Sequence, residues 1–73
     1  MSALAAAVTR RVGERVRTLR QSRGLTQRGL AQRTGLSRPT IANVEAGRQT
    51  VTVRHLCALA EALDVSLETL LSG

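Results

Sequence analysis

The sequence predicts an all-α domain of five short helices, and three observations support this fold class. Apolar residues recur at helical spacing along most of the 73 residues. Serine and threonine caps alternate with glycines, and together they divide the chain into five segments. The sequence has no Phe, Tyr or Trp, so its core must consist of Leu, Val, Ile and Ala, which suits a helical bundle better than a sheet. A chain of this length forms one domain, which buries only about 60% of its unfolded surface.

The first helix is predicted from an apolar stripe on one side. Its members are spaced by four, four and three residues: Val8, Val12, Val16 and Leu19. Gly24 follows a basic last turn and ends this helix. Residues 1–11 are either an N-terminal extension or the first turns of the helix, and residues 12–71 form the domain itself.

Two short helices follow. Thr26 caps the second, which runs from Gln27 to about Thr34, and Gly35 supplies the left-handed residue that ends it. Ser37 caps the third helix, which ends near Gly47. The residues expected to point inward from these two helices are Leu30, Ala31, Ile41 and Val44.

The last two helices have threonine and serine caps. Thr52 caps the fourth, whose expected buried stripe is Val53, Leu56, Leu59, Ala60 and Leu63. Ser66 caps a final turn or two that contains Leu67, Leu70 and Leu71.

The charge balance indicates a polyanionic partner. All eleven basic residues are Arg, and five acids leave a net charge of +6. Ten of the arginines lie at or before Arg48, whereas three of the acids fall in the last third: Glu61, Asp64 and Glu68. On charge alone, a solvated basic surface explains the net charge equally well. The all-Arg, Ala-rich usage is also what a GC-rich genome produces.

Several classes of function are excluded by what the chain lacks. His55 and Cys57 lie two apart on one helix and point to different faces, so they make no metal site, and a single cysteine forms no internal disulfide. Neither a pair of carboxylates placed for catalysis nor a glycine-rich phosphate loop is present, so we predict neither an enzyme nor a cofactor. The apolar start is too short to span a membrane, and its charges follow the apolar stretch instead of preceding it. We therefore expect a soluble protein of the cytoplasm.

Residues 27–46 have the pattern of a helix-turn-helix, formed by helices 2 and 3. Two helices that cross at about 90–120° need a small residue at their closest approach, a turn residue that tolerates positive φ, and a branched apolar residue that locks the pair. Ala31, Gly35 and Ile41 meet these needs in that order.

At this point the sequence resembles the Cro and phage-repressor type of regulator, the XRE family. The resemblance runs from about residue 12 to residue 71, so it covers most of the chain. The segments that carry it are 19–27, 30–31, 35–37, Ile41, 45–48 and 59–67. It implies a five-helix, lambda-repressor-like DNA-binding domain at residues 12–71, with helix 3 as the recognition helix in the major groove.

The resemblance also implies which residues meet double-stranded DNA. By position on helix 3 these are Ser37, Arg38, Pro39, Thr40 and Asn43, and outside it Gln27 and Arg48. Arg38 is the candidate for reading a base, since Arg paired with guanine is the commonest specific contact; a phosphate contact without sequence information is its alternative. Asn43 pairs with adenine or reaches a phosphate.

The other DNA-facing positions have more general roles. Pro39 departs from the family pattern, and it either touches a thymine methyl or only initiates the helix, whose start it is expected to distort. The family glutamine that matches Gln27 holds a phosphate and braces the recognition helix, while Arg48 matches a loop residue that contacts phosphate. Further arginines add general attraction at most: Arg10, Arg11, Arg15, Arg17, Arg23, Arg28 and Arg33.

Two structural roles follow from the same resemblance. Arg20 late in helix 1 is expected to pair with Glu45 late in helix 3, which holds the recognition helix without touching DNA. Members of the family bind palindromic operators as homodimers, and the candidate dimer interface is Leu67, Leu70 and Leu71. Closure of the monomer's own core is the alternative for these leucines.

The resulting prediction is a sequence-specific regulator of transcription, either a repressor or a self-regulating controller, associated with the nucleoid. The alternative is the antitoxin of a toxin–antitoxin pair, which would bind a protein partner as well as DNA. A third interpretation is the N-terminal domain of a longer regulator.

Overall fold

The computed structural model describes residues 2–72, and this part of the chain contains five α-helices and no strand. In chain order these are α1 Ala3–Ser22, α2 Gln27–Thr34, α3 Arg38–Glu45, α4 Val53–Leu63 and α5 Leu67–Leu71. The predicted all-α class is confirmed. Within residues 2–72, no helix is both long enough and apolar enough to cross a membrane.

Each helix begins after a hydroxyl residue that satisfies one of its free N–H groups. The caps of α2 to α5 are those expected from the sequence, and α1 adds Ser2, whose Oγ accepts from the N–H of Ala5 at 3.0 Å. The side chains that cap the other helices are Thr26, Ser37, Thr52 and Ser66. Each such cap typically contributes about 0.5–2 kcal/mol, which fixes the helix boundaries locally.

The N-terminal segment of the chain is part of α1. Residues 3–11 are helical, so over that range they are the first turns of the helix; Met1 lies outside the described residues. Val8, the first member of the stripe predicted for α1, is 40% exposed, whereas its neighbour Thr9 is buried. Gly24 has a φ of +69° just beyond the helix, as expected for the residue that reverses the chain.

The core collects side chains from all five helices. Its fully or nearly fully buried apolar members are Val12, Val16, Leu30, Ala31, Ile41, Val44, Leu59, Ala60, Leu63 and Leu70. Within the stripe expected for α4, Val53 is 73% exposed, so its assignment to the buried stripe was wrong. Val53 is the first residue of α4, and the packed part of that helix begins one turn later, with the half-buried Leu56.

A glycine that the sequence analysis did not single out lets α1 approach α3 closely. Gly13 is buried, and a Cβ on it would collide with the backbone carbonyl oxygen of Val44. Only glycine fits this position without moving the backbone of α3. The recognition helix predicted from the sequence is therefore held directly against α1.

Candidate nucleic-acid interface

The turn between α2 and α3 has the predicted form. Gly35 adopts φ +73° in the left-handed region, and its N–H donates to the carbonyl of Ala31 at 2.9 Å. Ser37 then caps α3. Ala31 and Ile41 are 7% and 0% exposed, so the small residue and the branched residue both lie inside the domain.

The two faces of α3 differ sharply. Ile41 and Val44 are fully buried, which turns the opposite face of the helix outward. At its N-terminal end Ser37, Arg38 and Pro39 are exposed, and further predicted site residues are half-buried: Thr40 and Asn43. The structure thus gathers these five residues on the solvent side of α3.

The expected distortion at Pro39 does not occur. The helix begins at Arg38, one residue before the proline, so Pro39 occupies the first turn, where its missing N–H costs no helical hydrogen bond. The Ser37 hydroxyl accepts from the Thr40 N–H at 3.1 Å and lies 2.8 Å from the Thr40 hydroxyl. The hydroxyls of Ser37 and Thr40 therefore serve first to start the helix.

A buried ion pair ties α1 to the C-terminal end of α3. The guanidinium of Arg20 donates to both carboxylate oxygens of Glu45, from Nε at 2.6 Å and from Nη2 at 3.0 Å. The two side chains are only 10% and 4% exposed. The third guanidinium nitrogen donates to the carbonyl of Leu25 at 2.7 Å, in the turn before α2. The hydrogen bonds that Arg20 donates to Glu45 raise the pKa of Arg20 above its ordinary value, and the Coulombic attraction adds to this against the cost of burial.

Gln27 joins the same network from the first turn of α2. Its side-chain amide donates to Oε1 of Glu45 at 3.2 Å, and the side chain is half-buried. Arg20, Gln27 and Glu45 thus connect α1, α2 and α3 through one carboxylate. Such a network fixes the orientation of α3 relative to α1 and α2.

The loop between α3 and α4 continues the exposed surface. Gly47 has φ +70°, and the N–H of Arg48 donates to the carbonyl of Asn43 at 2.9 Å, which closes the end of α3. The Arg48 side chain is exposed. Between residues 27 and 52 the only acid is Glu45, and its charge is matched by Arg20, so the exposed arginines there are not offset.

His55 helps to cap α4, and Cys57 lies partly buried in the same helix. Nδ1 of His55 accepts from the backbone N–H of Thr52 at 3.2 Å, while the Thr52 hydroxyl accepts from the N–H of His55 at 3.1 Å, so the two complete a capping box at the start of α4. Cys57 is half-buried. Among residues 2–72 no group of three or more His, Cys, Asp or Glu side chains is placed to hold a metal ion.

The three leucines proposed for a dimer interface do not behave alike. Leu70 is fully buried in the core of its own chain, so it has no surface to offer a partner, and its assignment to the interface was wrong. Leu67 and Leu71 are 41% and 49% exposed. The short helix α5 therefore buries one leucine in the core and leaves the other two exposed to solvent.

Comparison with known proteins agrees with this geometry. A family model described as "Helix-turn-helix" (HTH_3) matches residues 16–70, which include the whole of α2, the turn and α3. The chain belongs to this family. The XRE-type resemblance found in the sequence is thereby confirmed, and the chain is a DNA-binding transcriptional regulator and not an enzyme.

Individual relatives are similar over most of the chain. The uncharacterized HTH-type transcriptional regulator y4dJ of Sinorhizobium fredii (strain NBRC 101917 / NGR234) is 42% identical over 55 residues, which cover 75% of this chain and 71% of that protein. Among solved structures, the restriction-modification controller protein C.AhdI from Aeromonas hydrophila is 38% identical with a TM-score of 0.84, over 88% of this chain and 97% of that one. An HTH_3 family transcriptional regulator from Vibrio cholerae is 27% identical with a TM-score of 0.86, over 90% of this chain but only 37% of its own.

Proposed function

We propose that the protein binds a palindromic operator as a homodimer and regulates transcription as a repressor or self-regulating controller, acting on DNA in the cytoplasm. The observation that carries this proposal is the outward-facing N-terminal end of α3, whose direction is set by the Arg20–Glu45–Gln27 network. A recognition helix enters the major groove by this end, so the side chains there meet the base edges.

Arg38 reads sequence in this proposal. It is exposed, it has no acidic partner among residues 2–72, and it is the first residue of α3. Its five donors fit the O6 and N7 acceptors of guanine, a pairing worth about 1–3 kcal/mol of discrimination. Asn43, more than one turn further along α3, takes an adenine edge or a phosphate.

Gln27 and Arg48 lie near the C-terminal end of α3 and contact the sugar–phosphate backbone. Gln27 lies at the N-terminus of α2, where free N–H groups and the helix dipole favour a phosphate oxygen. Arg48 adds a full charge in the loop that follows α3. Ser37, Pro39 and Thr40 set the start of the helix, and their exposed surfaces pack against the groove.

The dimer surface contains the exposed leucines of α5. Leu67 and Leu71 keep much of their apolar surface in water. Burial against a second copy would remove this surface from water, which is favourable. Because the dimer is twofold symmetric, its operator is expected to be a palindrome. The two recognition helices should lie about 34–36 Å apart, which is one turn of B-DNA.

A controller role is supported by the similarity to C.AhdI, which extends over 97% of that restriction-modification controller. A self-regulating controller binds the DNA upstream of its own gene. The test is a binding titration of the protein against that upstream region and against random duplex, at two salt concentrations. The proposal expects a preference of at least about 10³-fold for the upstream region and a steep loss of affinity with salt. Equal affinity for both duplexes would contradict a sequence-specific role.

A further inference from the structure

Arg10 of α1 lies against the loop that follows the recognition helix. A Cβ built on Gly47 would stand 3.2 Å from Cγ and 3.5 Å from Cα of Arg10, so the aliphatic part of the arginine packs on the bare backbone of this glycine. Arg48 is the next residue of the same loop. The packing of α1 on α3 through Gly13, about one turn further along, holds this contact in place.

The charged end of Arg10 is available for a ligand. The residue is exposed, and in the part of the chain that the structure describes, neither Arg10 nor Arg48 has a salt bridge or a side-chain hydrogen bond. Arg10 contacts Gly47 across the helix packing and Arg48 follows Gly47 in the chain, so two cations without an acidic partner lie beside the same glycine. A bound polyanion supplies the missing opposite charge, and an arginine whose stem is already held loses less conformational entropy on binding it.

We propose that Arg10 and Arg48 together form a clamp for the phosphate backbone of duplex DNA, which extends the interface from the α3–α4 loop onto the N-terminal half of α1. This inference rests on the proposed function, since the clamp lies beside the recognition helix and is meant to hold the same duplex. The clamp reads no base, so it strengthens binding to every sequence alike.

Other arginines of α1 have different surroundings. The Arg11 guanidinium lies 3.7 Å from the carboxylate of Glu14, and Arg15 donates to the carbonyl of Thr69 on α5 at 3.2 Å. Arg11 follows Arg10 directly but points about 100° further around the helix. It therefore provides a control with the same charge, the same helix and nearly the same position.

The experiment compares Arg10→Gln with Arg11→Gln. Glutamine keeps part of the aliphatic stem that packs on Gly47 and removes the charge, and circular dichroism melts verify that both variants fold. Affinities are measured by fluorescence anisotropy for the operator duplex and for a random duplex, from 50 to 200 mM salt. We expect Arg10→Gln to bind both duplexes about fivefold more weakly. The slope of log K against log salt should become shallower by about 0.9 for each phosphate that the protein no longer neutralises.

The remaining variants and outcomes separate this inference from the proposed function. Arg10→Lys retains the charge and should keep most of the slope, while Arg11→Gln should change the slope much less than Arg10→Gln. If the wild type binds the operator and Arg10→Gln behaves like Arg11→Gln, the clamp is refuted and the proposed function stands. If the wild type shows no preference for any duplex, the proposed function itself fails. A loss of affinity confined to the operator would place Arg10 at a base and overturn the backbone assignment.

Discussion

Arg20 and Glu45, twenty-five residues apart in sequence, form a bidentate ion pair that joins α1 to the end of α3. The nitrogen–oxygen distances are 2.6 and 3.0 Å. The carboxylate also accepts a hydrogen bond from Gln27, so a single buried group connects α1, α2 and α3. The pair is too deeply buried to reach DNA in the proposed interface. Its proposed role is to set the direction of α3.

Replacing Glu45 by Gln should destabilise the fold. The change leaves the buried Arg20 guanidinium without its counter-charge, a loss that typically costs about 3–5 kcal/mol. Chemical denaturation followed by circular dichroism measures the free energy of unfolding. Glu14→Gln removes the carboxylate of an exposed pair and should change stability by less than about 1 kcal/mol. Equal stability of Glu45→Gln and the wild type would show that the pair does not hold α3.

Replacing Gly13 by Ala should separate α1 from α3. The added methyl meets the backbone carbonyl of Val44, which cannot move without shifting the recognition helix. We expect overpacking to cost about 1–3 kcal/mol and DNA affinity to fall with it. Gly29→Ala in α2 is the control, because the nearest atoms to its new methyl are side-chain atoms at 3.3 and 3.6 Å. A Gly13→Ala protein as stable as Gly29→Ala would contradict the close approach.

Substitution of the α5 leucines should have two different effects, loss of stability at Leu70 and loss of dimerisation at Leu71. Leu70→Ala removes a fully buried side chain and should cost about 2–5 kcal/mol in stability. Leu71→Glu changes a half-exposed side chain, so the domain should stay folded while sedimentation velocity shows a shift from dimer to monomer. A folded Leu71→Glu protein that still dimerises would place the dimer surface elsewhere.

Removing the side chain of Gln27 should weaken DNA binding without changing the preferred sequence. Gln27→Ala can no longer hold a phosphate through its amide or donate a hydrogen bond to Glu45. Affinity should therefore fall for operator and random duplex alike, together with a loss of about 0.5–1.5 kcal/mol in stability. Anisotropy titrations and denaturant melts measure the two effects separately. A selective loss of operator binding would assign Gln27 to a base edge instead.

The parts of the fold that depend on residues close together in the chain were predictable from the sequence. Thr26 and Gly35 bound α2 because a cap and a left-handed residue act within one turn of the chain. Gly13 could not be recognised as a contact, since its role appears only when α3 lies against it. The same limit explains why Val53 was placed in the core: periodicity gives the face of a helix but not where the covering elements end. The sequence left Leu70 open between a dimer interface and the core of its own chain, and its burial appears only in the folded domain. The Arg20–Glu45 pair came from family resemblance and not from any local pattern, and nothing in the sequence distinguished Arg10 from the arginines around it.

Selection of binding sites from a randomised duplex library, with the wild type and with Arg38→Ala in parallel, tests the central claim most directly. The wild type should enrich one palindromic motif. Arg38→Ala should enrich the same motif with the preference absent at one base position in each half-site, and its affinity for the wild-type site should fall by about 1–3 kcal/mol for each half-site. If the substitution leaves every base preference intact, Arg38 does not read DNA, and the N-terminal end of α3 is not the recognition surface described above.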